Sequence, residues 1–185
     1  LLLAGVIGGG ALLKQAKINS IASDFNKYAL AVETFKIAYR KYPGDFHEAY
    51  TYWGNDCNSD ADICNGDGDG RVEIGTAFTN EDSEVFMVWK HLQLAGMVDE
   101  AFTGLHQSNI AAVDTNIPGS KMVGIGFMIL YGSNYNNGSA LTFNKNALIL
   151  GKPSATAHKP SYDPFISPRD AKILDKKLDD GISDT

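Results

Sequence analysis

The sequence predicts an α+β fold built on one very long N-terminal helix. Three observations carry this reading. Apolar or aromatic residues recur at Ile18, Ile21, Phe25, Tyr28, Val32, Phe35, Tyr39 and Tyr42, a 3-4 spacing that makes one unbroken helix stripe. Val123 to Tyr131 (VGIGFMILY) and Leu141 to Leu150 (LTFNKNALIL) are β-like runs on either side of an Asn/Gly-rich segment. Two shorter stretches, Glu81 to Ala95 and one starting after Ser167, carry helix start and stop signals.

The first helix starts from an apolar run, Leu1 to Leu13 (LLLAGVIGGGALL), and continues without a break to Tyr42. A helix of roughly 40 residues is about 60 Å long. Lys14 and Lys17 close the apolar run, which is shorter than the ~20 residues a membrane span needs. About 5 to 7 further apolar residues ahead of Leu1 would complete a span. No small-residue cleavage site separates the run from the helix, so it does not read as a signal peptide. Gly8, Gly9 and Gly10 each cost about 1 kcal/mol in a helix interior, which argues against an ordinary soluble core helix. They would let the helix unwind locally or let another backbone approach closely. Arg40 and Lys41 suit the last turn, Pro43 cannot continue the helix, and Gly44 permits a turn into Asp45.

Residues 45 to 80 read as a long loop. Its two cysteines, Cys57 and Cys64, have no second cysteine pair with which to complete a zinc site, and His47 and His91 are not at ligand spacing from them. A local disulfide is the better reading and points to an oxidising compartment. After Cys64 comes Asn65-Gly-Asp67-Gly-Asp69-Gly70-Arg71-Val72-Glu73, which reads as the first nine positions of a calcium loop. Oxygen ligands would come from Asn65, Asp67, Asp69, the Arg71 carbonyl and Glu73. Gly70 would make the turn and Val72 would pack inward. Position twelve is Thr76 instead of glutamate, and Glu81 or Glu84 can substitute. Asp175, Asp179 and Asp180 read as an ordinary helix end.

The second helix has Thr79 or Asn80 as cap, Val85, Val88, Trp89, Leu92 and Ala95 on one face, and Gly96 as stop. The hairpin turns within Asn134 to Ser139. Asn137-Gly138-Ser139 also fits a glycosylation sequon, although the turn explains it as well. The last helix has Ser167 as N-cap, Pro168 in the first turn and Asp170 in a capping-box-like position, with Ile173, Leu174 and Leu178 facing inward.

The net charge of -6 and the lack of a basic stripe argue against nucleic acid as a partner. There is no phosphate-binding loop, nucleophile elbow or Cys-His pair, and His91, His106 and His158 read as surface or satisfied histidines. No enzymatic activity is expected from the sequence.

The apolar, glycine-bearing start, the helix with Lys27, Tyr28, Val32, Phe35 and Tyr39, and the Tyr-Pro-Gly-Asp that follows resemble the type IV pilin and pseudopilin family, the prepilin-type N-terminal cleavage and methylation class. The resemblance is specific over the first 45 residues and weaker through Trp89 and the Ile173–Gly181 stretch. It implies a long helix packed on a small antiparallel sheet, with a loop-rich outer domain. It implies residues 1–44 as the helical arm, with 1–17 as membrane or filament core and 18–42 as the amphipathic half. Residues 45–185 would form the globular outer domain. The family's processing site, terminal phenylalanine and early glutamate would lie ahead of Leu1. The implied activity is polymerisation: a homo-oligomeric helical filament outside the cell or at its surface, anchored in the inner membrane before assembly. Leu1, Leu2, Leu3, Val6, Ile7, Gly8, Gly9, Gly10, Leu12 and Leu13 would be the assembly residues. A membrane-anchored monomeric calcium- or glycan-binding module is the alternative.

Overall fold

The computed structural model describes residues 2–74, 84–105, 110–132, 144–154 and 165–179, with the backbone alone for 2–8 and 11. The element order is α1 (Leu2–Tyr39), α2 (Ala49–Trp53), α3 (Ala61–Cys64), α4 (Glu84–Leu94), β1 (Gly126–Tyr131), β2 (Asn146–Gly151) and α5 (Pro168–Leu178). The chain is α+β, with a long N-terminal helix and a two-stranded antiparallel sheet.

At 38 residues α1 is about 57 Å long. Its 3-4 stripe is the face that packs: Ile18, Ile21, Tyr28, Val32 and Phe35 are buried. Phe25 and Tyr28 meet Phe127 of β1 edge-on at 5.2 and 5.0 Å, and Tyr28 meets Trp89 of α4 at 5.1 Å. These three elements enclose the main core. Lower on α1, Ile18, Ile21 and Ala22 pack with Leu174 of α5. Lys14 pairs with Asp170 of α5 at 2.7 Å, an exposed-to-buried contact that sets register more than stability.

The sequence reading carried α1 to Tyr42, but the helix ends at Tyr39. Arg40 takes a left-handed conformation (φ 59°) and donates its amide to the Lys36 carbonyl. This wraps the last turn closed before Pro43 is reached. Tyr42 still packs on the core, so the apolar spacing outlasts the helix.

The stretch read as a plain loop contains α2, a 3-10 turn at Gly54–Asp56 and α3. These short helices are held by side chains that a periodicity reading does not register. Asp60 caps α3 by accepting the Asp62 amide, and the Asn65 Oδ1 accepts the Tyr50 amide at 2.8 Å. Tyr39, Phe46, Tyr52 and Trp53 form a continuous set of ring contacts over the end of α1.

The strands pair antiparallel from Gly126↔Gly151 to Tyr131↔Asn146. β1 starts three residues after the predicted Val123, which is almost fully exposed. The chain is turned there by Gly124 at φ +74°. Phe127 to Leu130 are all buried, which is why the run is apolar throughout instead of alternating. The predicted turn and sequon at 134–139, and Leu141 to Phe143, lie outside the described residues.

α4 begins at Glu84 among the described residues, and the predicted start at 79–83 lies outside them. Its end agrees with the reading: Gly96 sits at φ +68° while Gly96 and Met97 donate to the Gln93 and Leu92 carbonyls. Ser167 caps α5, accepting the Asp170 amide and donating its hydroxyl to the Asp170 carboxylate at 2.5 Å. Leu174 is buried and Ile173 half-buried, but Leu178, in the last turn of α5, is exposed.

Candidate functional site

The acidic loop is positioned from both sides by turns. After α1 the chain passes Pro43 to Gly44, whose amide donates to His91 Nδ1 at 2.9 Å. The next residue, Asp45, is fully buried. The loop returns over it through Gly66, where a β-carbon would collide with the Gly44 carbonyl and the Asp45 backbone. A side chain at 66 would therefore hold the two segments apart.

Within the loop, Asp67 Oδ1 accepts the Asp69 amide and Asp69 Oδ1 accepts the Arg71 amide, at 3.0 and 2.8 Å. The Gly70 amide donates to Asp45 Oδ2 at 3.0 Å. Glu84, at the start of α4, accepts the Asp67 and Glu73 amides at 3.1 and 3.0 Å. As a result, one carboxylate oxygen from each of Asp45, Asp67 and Asp69 lies within 4.8 Å of the other two. The other Asp45 oxygen constraint is its isolation: Oδ1 is buried and has no hydrogen-bond partner.

Of the ligand set read in the sequence, Asp67 and Asp69 belong to this group of carboxylates. Gly70 turns at φ +93° and Val72 is buried, as expected. Asn65 Oδ1 accepts the Tyr50 amide and so holds α2. Glu73 does not join the three carboxylates; its amide is fixed by Glu84 and its carboxylate lies 3.9 Å from Arg71. The Arg71 guanidinium lies 3.6 Å from Asp69 and 4.9 Å from the Tyr131 ring centre. Thr76 and Glu81 lie outside the described residues. Asp45 was missed because it was read only as part of the helix stop. The available signal was an acid placed directly after Pro-Gly, where the chain must fold back on the helix end.

Negative charge accumulates here. Burial pushes the Asp45 carboxyl up to about 6; the Gly70 and Gly68 amides oppose this, and the charges of Asp67 and Asp69 add to it. Burial pushes Glu84 up to about 8, against the Glu73 and Asp67 amides and with the charges of Asp45 and Asp67. Among the described residues no basic side chain pairs with Asp45. Lys41 Nζ goes to the Gly68 carbonyl at 2.9 Å.

A second cluster lies alongside. Cys57 and Cys64 are bonded as a disulfide, with Cα atoms 5.6 Å apart, and both are buried. His91 comes within reach of both sulfurs despite its distance in sequence. A disulfide offers no thiolate to a metal, so the group is structural. Closing this loop stabilises by about 2 to 3 kcal/mol in the chain-entropy model. Denaturant unfolding with and without reductant is expected to show that difference. Mass measurement of native protein after treatment with an alkylating reagent is expected to find no adduct and a mass two hydrogens below the dithiol.

His91 is a satisfied core histidine. Nδ1 accepts from Gly44, which leaves Nε2 to donate to the Cys64 carbonyl at 2.9 Å. Burial lowers its pKa to about 4, against the Cys64 bond. The imidazole is neutral when folded, whereas the unfolded chain takes a proton below about 6.5. Its contribution is thus complete above that pH and is lost as pH falls toward 4, by up to about 3 kcal/mol. Asp45 and Glu84 act in the opposite sense over part of this range, so the test is differential. Gln at 91 can make both hydrogen bonds, and His91→Gln is expected to remove the acid-side loss in urea unfolding from pH 7 to 4.5. An identical slope in the variant would assign that loss elsewhere.

No protein-family model, no curated protein and no solved structure matches the chain. Neither cluster contains a nucleophile beside a base.

Proposed function

We propose that this chain is the structural subunit of an extracellular filament that polymerises through the first third of α1. The observation that carries this reading is where the packing on α1 stops. The deepest core contacts begin at Ile18, whereas Leu12 and Leu13 are 73% and 67% exposed, and Gly9 and Gly10 have open space around them. Residues 1 to 13 contain no charge. Each buried leucine side chain gains about 2 kcal/mol over an exposed one, so this arm is unfavourable in water. A second, third and further copy of the same arm can cover it. Contacts of this head-to-tail kind do not close, so they generate a helical filament instead of a ring. Leu30 and Ile37 are also exposed, on the side of α1 facing away from the core, and extend the apolar surface toward neighbouring copies.

Before assembly the arm needs an apolar environment, which the inner membrane supplies. No helix among the described residues is long and apolar enough to cross a membrane by itself. The buried disulfide is consistent with export to an oxidising compartment. The reading requires no catalytic step and no nucleic acid.

Leu12→Glu, or Val6→Asp, is expected to abolish filaments in detergent-free preparations viewed by electron microscopy. A buried unpaired charge costs several kcal/mol at every subunit contact. The circular dichroism and melting of the outer part should stay unchanged, because Leu12 touches none of the core. Normal filaments from either variant would sink the proposal. Vesicle-bound monomers from the unmutated chain would support an anchored monomeric binding module instead.

A further inference from the structure

We propose that Asp45, Asp67 and Asp69 hold one calcium ion that fastens the acidic loop to the end of α1. The proposal is independent of the filament reading. It does not rest on the acidic cluster alone, since exposed acids crowd many surfaces without a metal. It rests on Asp45. This side chain is 0% exposed, its Oδ1 has no hydrogen-bond partner, and it belongs to a group of three carboxylates whose oxygens lie within 4.8 Å of one another. A buried carboxylate oxygen with no partner is costly to keep. A cation shared with Asp67 and Asp69 supplies the missing partner, and it offsets the repulsion among the three carboxylates.

The donor set selects the ion. All three ligands are hard carboxylate oxygens, with no histidine or sulfur among them, which suits calcium or magnesium over a transition metal. Asp67 and Asp69 are exposed and lie on a glycine-rich loop. Such a loop can adjust to the six to eight ligands at 2.3 to 2.6 Å that calcium takes, the remainder coming from backbone carbonyls and water. Magnesium demands a near-ideal octahedron and gives up its water reluctantly. The Asp67 and Asp69 turns and the Gly70 amide on Asp45 Oδ2 already bring the three carboxylates together. Binding therefore needs little reordering. The Arg71 guanidinium stays 3.6 Å from Asp69, and Lys41 is engaged by the Gly68 carbonyl.

Asp45 lies in the turn that follows α1, and Glu84 clamps the same loop to α4. One ion would thus tie the turn after α1 to a loop that Glu84 already joins to α4.

The test uses the full chain in mild detergent. Calorimetric titration with calcium chloride is expected to give one site with a Kd of roughly 0.1 to 1 mM, the range of extracellular modules. At 10 mM calcium the melting temperature should rise by roughly 3 to 10 °C over a chelated sample. Magnesium should bind at least tenfold more weakly. Asp45→Asn keeps an acceptor for the Gly70 amide but removes the charge. It should weaken calcium binding at least tenfold while melting in chelator no lower than the unmutated chain. Asp67→Asn should also lose calcium affinity. No stoichiometric calcium binding at 10 mM, magnesium binding as tight as calcium, or an Asp45→Asn chain that keeps its calcium affinity within twofold would each overturn the proposal.

Discussion

Phe35→Ala is expected to destabilise the protein by about 3 to 5 kcal/mol. Phe35 is fully buried at the point where α1 meets everything that follows it. Its ring lies 4.4 Å from Tyr39, 5.9 Å from Phe46 and 6.2 Å from Trp53, and it stacks parallel to His91 at 6.3 Å. These partners come from α1, the turn after it, α2 and α4, so no single element can move in to fill the space. The cost should therefore fall toward the upper end of the range, because it depends on how well a site can collapse. Total stabilities of single domains are about 5 to 15 kcal/mol, so the variant should melt roughly 10 °C lower or fail to fold. Phe35→Leu, which keeps much of the volume, should recover more than half of the loss in urea unfolding. Equal losses for both variants would mean that ring stacking, and not volume, is what the site requires.

Gly44→Ala is expected to cost about 2 to 5 kcal/mol, from two sources. The residue sits at φ +88°, where an L side chain adds about 1 to 3 kcal/mol. Its β-carbon would also lie 2.5 Å from the Glu84 carbonyl oxygen and 2.8 Å from a Val88 methyl. Crowding of this kind adds roughly 1 to 3 kcal/mol. Gly54→Ala separates the two. Gly54 is at φ +49° with nothing within 4 Å of where a β-carbon would sit, so it should show backbone strain alone. Denaturant unfolding of both variants is expected to place Gly44→Ala well above Gly54→Ala. Comparable values would show that α4 can withdraw from the turn at little cost. Because the Gly44 amide also holds His91 Nδ1, the Gly44→Ala chain should in addition lose part of the acid-side slope assigned to His91.

The local devices of this chain are legible in its sequence because each is set by residues near one another. The α1 stripe, the Gly96 stop, the Ser167 cap with Pro168 behind it, and the apolar run that becomes β1 all follow from short-range sterics and from periodicity. The Cys57–Cys64 bond was legible too, since two cysteines seven residues apart in a polar loop have few other uses. The carboxylates of Asp67 and Asp69, with the Gly70 turn, could be read from spacing alone.

Other features depend on packing between distant segments, and no local pattern encodes them. Tyr42 keeps the helical spacing although the helix has ended, because it is the core that fixes its position and not a hydrogen-bond ladder. Leu178 keeps the spacing of a buried residue but is exposed in the folded chain. His91, 27 residues after Cys64, acquires its role only when α4 lies across both the Gly44 turn and the Cys64 carbonyl.

The sequence by itself determined the long helix, its uncharged first third, the disulfide and two of the three carboxylates, since these are properties of short stretches of chain. Only the tertiary structure decided the third carboxylate. Asp45 reaches Asp67 and Asp69 because α1 must stop at Tyr39, turn through Gly44 and accept the backbone of Gly66 against it. That juxtaposition joins segments more than 20 residues apart, and it is set by which surfaces bury each other.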